Sequence, residues 1–375
     1  MSFLSNIFNK EEPRALGIDI GSSAIKIVQL KRKNGQAVLE TYGELSLGPY
    51  AGLSVGQSVQ LPTDKIATAL SDLMNEKEVN VTTKKCGLSI PFASSLMSVV
   101  EMPDVGENKL KTMIPIEARK YIPVPIQEVM LDWSIIPKNN LVNENENLEP
   151  SNFSSAVTEV ERLPKVEVLI VAIHNDTLKK YQEIVTKSSL EASFFEIEIF
   201  STMRSVLDEN LRPVLIMDMG AASTKLYIIE RGIIRESHTV NRGSQDITLS
   251  ISKSLNVPTD KAEIIKRENG LIGDKSVQDI AKLTLDFVFA EANSTVLSFE
   301  RKYNKTISKV ILIGGGSALK GISELAKIEF KTEVEIGLPF NKVSSPAFLE
   351  NILRETGPEF AVAIGLALRK LAEES

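Results

Sequence analysis

Cysteine is nearly absent: Cys86 stands alone among 375 residues. No disulfide can form within the chain, and a reducing compartment is expected. Histidine is almost as scarce, with only His174 and His238, which argues against a zinc site. No apolar run reaches the roughly 18 residues of a membrane span. The opening "MSFLSNIFNKEEPR" lacks the basic-then-apolar order of a signal peptide, although Phe3, Leu4, Ile7 and Phe8 share a helical face. A short docking helix, or weak membrane or partner contact, are both open for it. Strong positive charge is missing too. With 43 basic and 49 acidic residues the net charge is -6, which argues against nucleic acid, since phosphate contacts need clustered Lys and Arg. What is present is ordinary globular material, 43% apolar and 25% charged. Its length suits two or three domains or one bilobed body.

The pattern along the chain alternates strands and helices. "KNGQ" reads as a hairpin turn, and "TDKIATALSDLMNEK" as a helix capped by Thr63 or Asp64. "KKCGLSIP" and "SSLMSVVEMP" read as strands. "GENKLKTMIPIEARKYIPVP" reads as a helix that Pro115 should kink or restart. "MLDWSIIP" and "KVEVLIVAIH" are further strands, and between them residues 138 to about 164 are too polar to build a core.

One stretch, "LGIDIGSSAIKIVQL", poses a specific problem. Asp19 lies between Ile18 and Ile20 in an otherwise buried strand, and a buried carboxylate is costly unless paired. Gly21, Ser22 and Ser23 form a bend small enough for backbone N–H groups to approach another molecule. The pattern recurs about 200 residues later in "VLIMDMGAASTKLYIIE". There Asp218, Gly220, Ala221, Ala222, Ser223, Thr224 and Lys225 stand where Asp19, Gly21, Ser22, Ser23, Ala24, Ile25 and Lys26 stood. Two matching hairpins imply two related lobes, each offering a Gly turn and a carboxylate, and two such turns facing each other across a cleft could grip a polyphosphate between backbone N–H donors. Asp19 and Asp218 would hold a hydrated Mg2+, an ion that keeps most of its waters. A third stretch, "VILIGGGSALKGISELA", places Gly314, Gly315, Gly316 and Ser317 between a strand and a helix, a turn suited to a nucleotide.

These three stretches resemble the two phosphate loops and the adenosine loop of the actin, heat-shock chaperone and hexokinase superfamily. That resemblance implies an α/β, actin-like (ribonuclease H-like) two-lobed ATP-binding fold. In "EIEIFSTMR" it places Glu198 where several relatives orient the attacking water. In "PEFAVAIGLALRKL" it makes Ala361 and Gly365 close-packing residues of a closing helix. In "KAEIIKRENG", Glu263, Lys266 and Arg267 match a trio that contacts adenosine, although a solvated helix face with a Glu-to-Arg pair is the alternative. Gly243 matches a family glycine, in a stretch with His238 that otherwise follows the layout loosely. Ser201 departs from the usual Ala.

Within the superfamily, "IPIEARKYIPVPIQEVMLDW" is similar to a stretch of the PilM family, the cytoplasmic actin-like component of type IV pilus machinery. Glu117, Tyr121, Ile122, Pro123, Pro125, Glu128, Val129, Leu131, Asp132 and Trp133 carry the match, which extends over nearly the whole chain from about residue 14. The resemblance implies a relocated small α+β insert in the first lobe. The boundaries read as 1-13 for an N-terminal segment, 14-82, 171-211 and 357-375 for the first lobe, 83-170 for the insert, and 212-356 for the second lobe.

It further implies ATP and Mg2+ as ligands, slow ATP turnover at most, and membrane attachment only through a partner. That partner is the tail of a PilN-like inner-membrane protein, held in a groove between the first lobe and its insert beside "GLSIPFASSLMSVVEMP", with pilus motor ATPases and a homo-oligomer as further partners. Two alternatives remain: an FtsA-like division protein, which would end in a linker and an amphipathic helix where this sequence reads "RKLAEES", and a small-molecule kinase, for which no spare Asp-containing loop is evident.

Overall fold

Asn34 and Gly35, both at positive φ, form the two-residue turn that the "KNGQ" signal predicts. They join β2 (Ala24–Lys33) to β3 (Gln36–Ser46), because a turn with two positive φ values matches the right-handed twist of paired strands. The computed structural model describes residues 12–136, 164–208 and 212–374. The amphipathic opening segment and nearly all of the polar stretch from 138 lie outside these residues.

Two sheets repeat one topology. In the first, β1 (Arg14–Ile20) pairs antiparallel with β2 and parallel with β4 (Lys85–Ile90), which pairs parallel with β8 (Glu191–Ile197), in the order β3-β2-β1-β4-β8. In the second, β9 (Val214–Met219), β10 (Thr224–Glu230) and β11 (Ile233–Val240) are the antiparallel part. β12 (Lys309–Ile313) and β13 (Glu333–Ile336) add in parallel, in the order β11-β10-β9-β12-β13. The register is equivalent as well: Asp19 lies opposite Lys26, and Asp218 opposite Lys225.

Helices cover these sheets. α1 (Thr63–Asn75) follows Pro62, which holds the N-cap position without a side-chain cap. The cap expected from Thr63 or Asp64 does not form, and the Asp64 carboxylate pairs instead with Lys187. α3 (Asn175–Lys187) leads into β8, and α4 (Glu198–Val206) follows it. In the second lobe α5 (Ser244–Leu255), α6 (Thr259–Asn269), α7 (Lys275–Tyr303) and α8 (Ile322–Phe330) surround the sheet. Leu226, Ile228, Leu285, Phe289, Phe299 and Leu312 lie in their shared core. After the short α9 (Glu350–Thr356) the chain closes with α10 (Ala361–Glu373), whose apolar face is buried with Ala15, Val28 and Leu30 of the first sheet. No helix among the described residues is long and apolar enough to cross a membrane.

A second compact unit comprises Ala93–Leu178. Its sheet has the order β5-β7-β6, built from β5 (Ser95–Pro103), β6 (Val129–Ile136) and β7 (Lys165–His174). β7 alternates buried and half-buried residues, the pattern of a sheet covered on one face. α2 (Glu107–Ala118) supplies that cover through Leu110, Ile114 and Ala118. Pro115 lies inside α2, which continues through it and does not restart. Lys111, whose carbonyl loses its helical partner there, is exposed, so water can satisfy it.

The boundary read at 83 and 170 therefore moves to 93 and 178. Lys85–Ile90 pairs in the first-lobe sheet, because its buried "CGLSI" run finds parallel partners distant in sequence. The stretch "GLSIPFASSLMSVVEMP" is consequently divided, with β4 in one unit and β5 in the other.

Candidate functional site

Each hairpin bend closes with one backbone bond, Gly21 N–H to Ala24 O at 2.9 Å and Gly220 N–H to Ser223 O at 3.0 Å. Both bends open onto one cavity of about 720 Å³, within the range of small-ligand sites. Ser22, Ser23, Ala222 and Ser223 line it from the bends, and Gly314, Gly315 and Gly316 from the β12 loop. Glu263, Lys266 and Arg267 line it from α6, with Asp19, Lys26, Glu198 and Asp218 among the other lining residues.

Three residues expected in the site do not line the cavity. Thr224 is buried and donates to Arg242 O at 2.9 Å. The Ser317 hydroxyl donates to Gly314 O at 2.7 Å, within its own turn. Gly243 acts by absence of a side chain: a Cβ there would lie 2.3 Å from Ala221 O. That close approach lets Ser244 and Gln245 donate their N–H groups to Gly220 O and Ala221 O, each at 3.0 Å, so α5 braces the second bend.

The cavity is short of positive charge. Asp19, Glu44, Glu198, Asp218, Glu263 and Glu359 line it, against Lys26, Lys225, Lys266 and Arg267. Burial pushes the Asp19 carboxyl up, against the opposing pull of Lys26, a 2.7 Å hydrogen bond from Ser89 Oγ, and Lys225. Burial also raises Glu359, with Glu44 adding to it, and Glu198, where the Asp218 and Asp19 charges add and Lys225 opposes. Burial would lower Lys26, but Glu44, Glu359 and Asp19 together hold it above its ordinary value.

On α6, burial would raise Glu263, but Lys266, Thr248 and Arg267 hold it below the usual carboxylate range. Its oxygens meet Lys266 Nζ at 2.7 Å and Arg267 Nε at 2.8 Å. The trio is thus both a Glu-to-Arg pair and part of the cavity wall.

A carboxyl raised in the folded state favours folding while protonated, and that contribution is lost as pH climbs from its unfolded value towards its folded one. At neutral pH Asp19 therefore costs stability. Asp19→Asn, which can still accept from Ser89, is expected to raise the thermal midpoint of the ligand-free protein at pH 7 and leave it unchanged at pH 3. Equal midpoints at both pH values for variant and parent would refute this.

Among the described residues no cluster of three or more His, Cys, Asp or Glu is spaced to cage a metal ion. Asp19 and Asp218, at equivalent hairpin positions in a cavity with excess carboxylates, fit a cation bound largely through its own waters.

Lys225, Glu44, Glu359 and Gln245 also line the cavity, and none was expected as a site residue. Lys225 was legible as the counterpart of Lys26. Glu359, in a short turn before α10, had no such signal. Gln245 Oε1 accepts from Ser58 N–H at 2.8 Å, which ties the loop after β3 to α5.

A family model described as type IV pilus assembly protein PilM matches residues 17–371. The cell division protein FtsA of Pseudomonas aeruginosa is 24% identical over 391 aligned residues, covering 96% of this chain and 90% of that protein. FtsA of Neisseria meningitidis serogroup B is 24% identical, covering 86% and 82%.

Among solved structures, a PilM-PilN type IV pilus biogenesis complex aligns over 95% of this chain and 98% of that chain, at 23% identity and a TM-score of 0.77. MreB 5 of Spiroplasma citri bound to AMPPNP aligns over 97% and 98%, at 11% identity and a TM-score of 0.51. EutJ of Carboxydothermus hydrogenoformans aligns over 95% and 89%, at 15% identity and 0.52. These likenesses show the actin-like fold.

Proposed function

The chain belongs to the family of the type IV pilus assembly protein PilM, and from that premise we propose that it binds ATP with Mg2+ in the cavity between its hairpins. In this reading it is a cytoplasmic component that takes up the tail of a PilN-like inner-membrane protein and links it to the pilus motor. The observation that carries the nucleotide reading is the pair of equivalent hairpins, in register at Asp19–Lys26 and Asp218–Lys225, opening on one cavity. The AMPPNP held by the MreB 5 structure supports it.

Ser22, Ser23, Ala222 and Ser223 would offer the phosphates backbone and hydroxyl donors. The loop of Gly314 to Gly316, with Glu263, Lys266 and Arg267, would take the adenosine. Mg2+, reached by Asp19 and Asp218 through its waters, would offset phosphate charge. Glu198 would orient water for slow hydrolysis.

For the partner tail, β5 stands at an edge of the inserted unit's sheet among the described residues, where an extended peptide can add as a strand. Ile116 and Tyr121 of the same unit are exposed large apolar residues. The PilM-PilN complex supports a partner of that kind.

Calorimetric titration with Mg-ATP tests the nucleotide reading. The parent is expected to bind and to gain thermal stability with ligand concentration, Asp19→Ala and Asp218→Ala to bind at least tenfold more weakly, and Glu198→Gln to bind normally without releasing phosphate. Parental affinity in both Asp variants would remove the carboxylates from the site. For the tail, hydrogen exchange with a PilN-like N-terminal peptide is expected to protect residues within 93–178. Protection confined to residues beyond 240 would overturn that docking site.

A further inference from the structure

Lys26 and Lys225 occupy equivalent hairpin positions, yet their surroundings differ. Lys26 Nζ is 3.4 Å from Glu44 Oε1, a partner whose side chain is 37% exposed. Lys225 Nζ is 2.7 Å from Glu198 Oε2 and 3.5 Å from Asp218 Oδ2, and these carboxylates are only 9% and 12% exposed. The other Glu198 oxygen accepts from Phe92 N–H at 2.6 Å, so both of its oxygens are committed. Charges brought together out of water attract far more strongly than on a surface, and removing one partner leaves the other uncompensated. Burial alone would lower the Lys225 ammonium, but Glu198, Asp218 and Asp19 reverse this and hold it protonated.

We propose that Lys225, anchored by its ion pair with Glu198, competes with divalent metal for the Asp218 carboxylate, so that the site accepts the ion well only together with a polyphosphate. This rests on the nucleotide reading above. A free dication approaching Asp218 must break the ammonium's ion pairs and leave a buried like charge beside itself. A polyphosphate changes that balance by offering anionic oxygens to the ammonium, which the flexible four-carbon stem of Lys225 can follow. The same movement releases Glu198 Oε2, so Glu198 becomes free to orient water only after the phosphates are in place. Lys225 is in this sense a positioning residue for Glu198.

The test uses Mn2+ in place of Mg2+, titrated by electron paramagnetic resonance into the full chain without nucleotide. Lys225→Met keeps the stem and removes the charge, and is expected to bind free Mn2+ at least tenfold more tightly than the parent. Lys225→Arg, which keeps the charge, is expected to bind as the parent does.

Because Lys225→Met leaves Glu198 buried without its counter-charge, the double variant Lys225→Met/Glu198→Gln is measured beside it. It removes the pair together and retains Asp19 and Asp218, and it too is expected to bind Mn2+ more tightly than the parent. Equal Mn2+ affinities in the parent and the double variant would overturn the proposal. A parallel titration of the parent with ATP and Mn2+ separates the two readings: absence of ATP binding there defeats the nucleotide reading, while the nucleotide-free comparison still decides whether Lys225 competes with the metal.

Discussion

Gly365→Ala is expected to abolish cooperative folding, or at the least to lower stability by more than the roughly 1–3 kcal/mol typical of overpacking. On an exposed helix the same change would stabilise by about 1 kcal/mol, because Ala is the better helix former. Here the sign reverses. A Cβ on Gly365 would lie 1.9 Å from Ser201 O and 2.5 Å from Ser201 C, and backbone cannot swing aside as a side chain can. α10 and α4 would have to separate. On its other side α10 meets the first sheet just as closely, since a Cβ on Gly17 would lie 1.9 Å from Ala363 O. The helix thus has little room to retreat.

Urea unfolding followed by circular dichroism checks this. Gly52→Ala is the useful comparison: its position has positive φ but no heavy atom within 4 Å of a built Cβ, so only the left-handed backbone cost of roughly 1–2 kcal/mol applies. Similar losses for the two variants would show that the α4–α10 approach is not what limits stability.

Gly314→Ala is expected to lower ATP affinity by 100-fold or more, about 2.8 kcal/mol, while the far-ultraviolet spectrum stays that of the parent. Gly314 has φ of +80°, and a Cβ would lie 2.5 Å from Asp218 Oδ1 and 2.7 Å from Met219 O. The carboxylate can rotate away, which misplaces it for a hydrated metal. The Met219 carbonyl belongs to β9 and cannot move, so the glycine loop must shift instead. One methyl group therefore disturbs both the expected adenosine wall and one of the two carboxylates. Calorimetry with Mg-ATP measures it, and parental affinity would place nucleotide binding elsewhere.

Local chemistry made the hairpins legible. A strand, a carboxylate, a glycine, small residues and a lysine are written consecutively, and their recurrence at Asp218 was visible without knowing any distance. The Asn34–Gly35 turn and β5 to β7 were legible for the same reason, because turn geometry and apolar period are set by neighbours in the chain, whereas α10 was expected from the family resemblance.

What the tertiary structure alone decided was non-local. The "CGLSI" strand joined the first-lobe sheet and not the insert, since parallel pairing with β1 and β8 leaves no mark in the strand itself. Glu44 and Glu359 came to the cavity from β3 and from the turn before α10, segments with no binding signature. Thr224, Gly243 and Ser317 turned out to brace the cavity wall, because whether a small residue faces a ligand or a backbone depends on which element approaches it. The ion pair of Lys225 with Glu198 joins residues 27 apart in sequence. A half-buried ammonium and a buried carboxylate meet there because the fold brings β10 beside the start of α4, and the sequence holds no local reason for it.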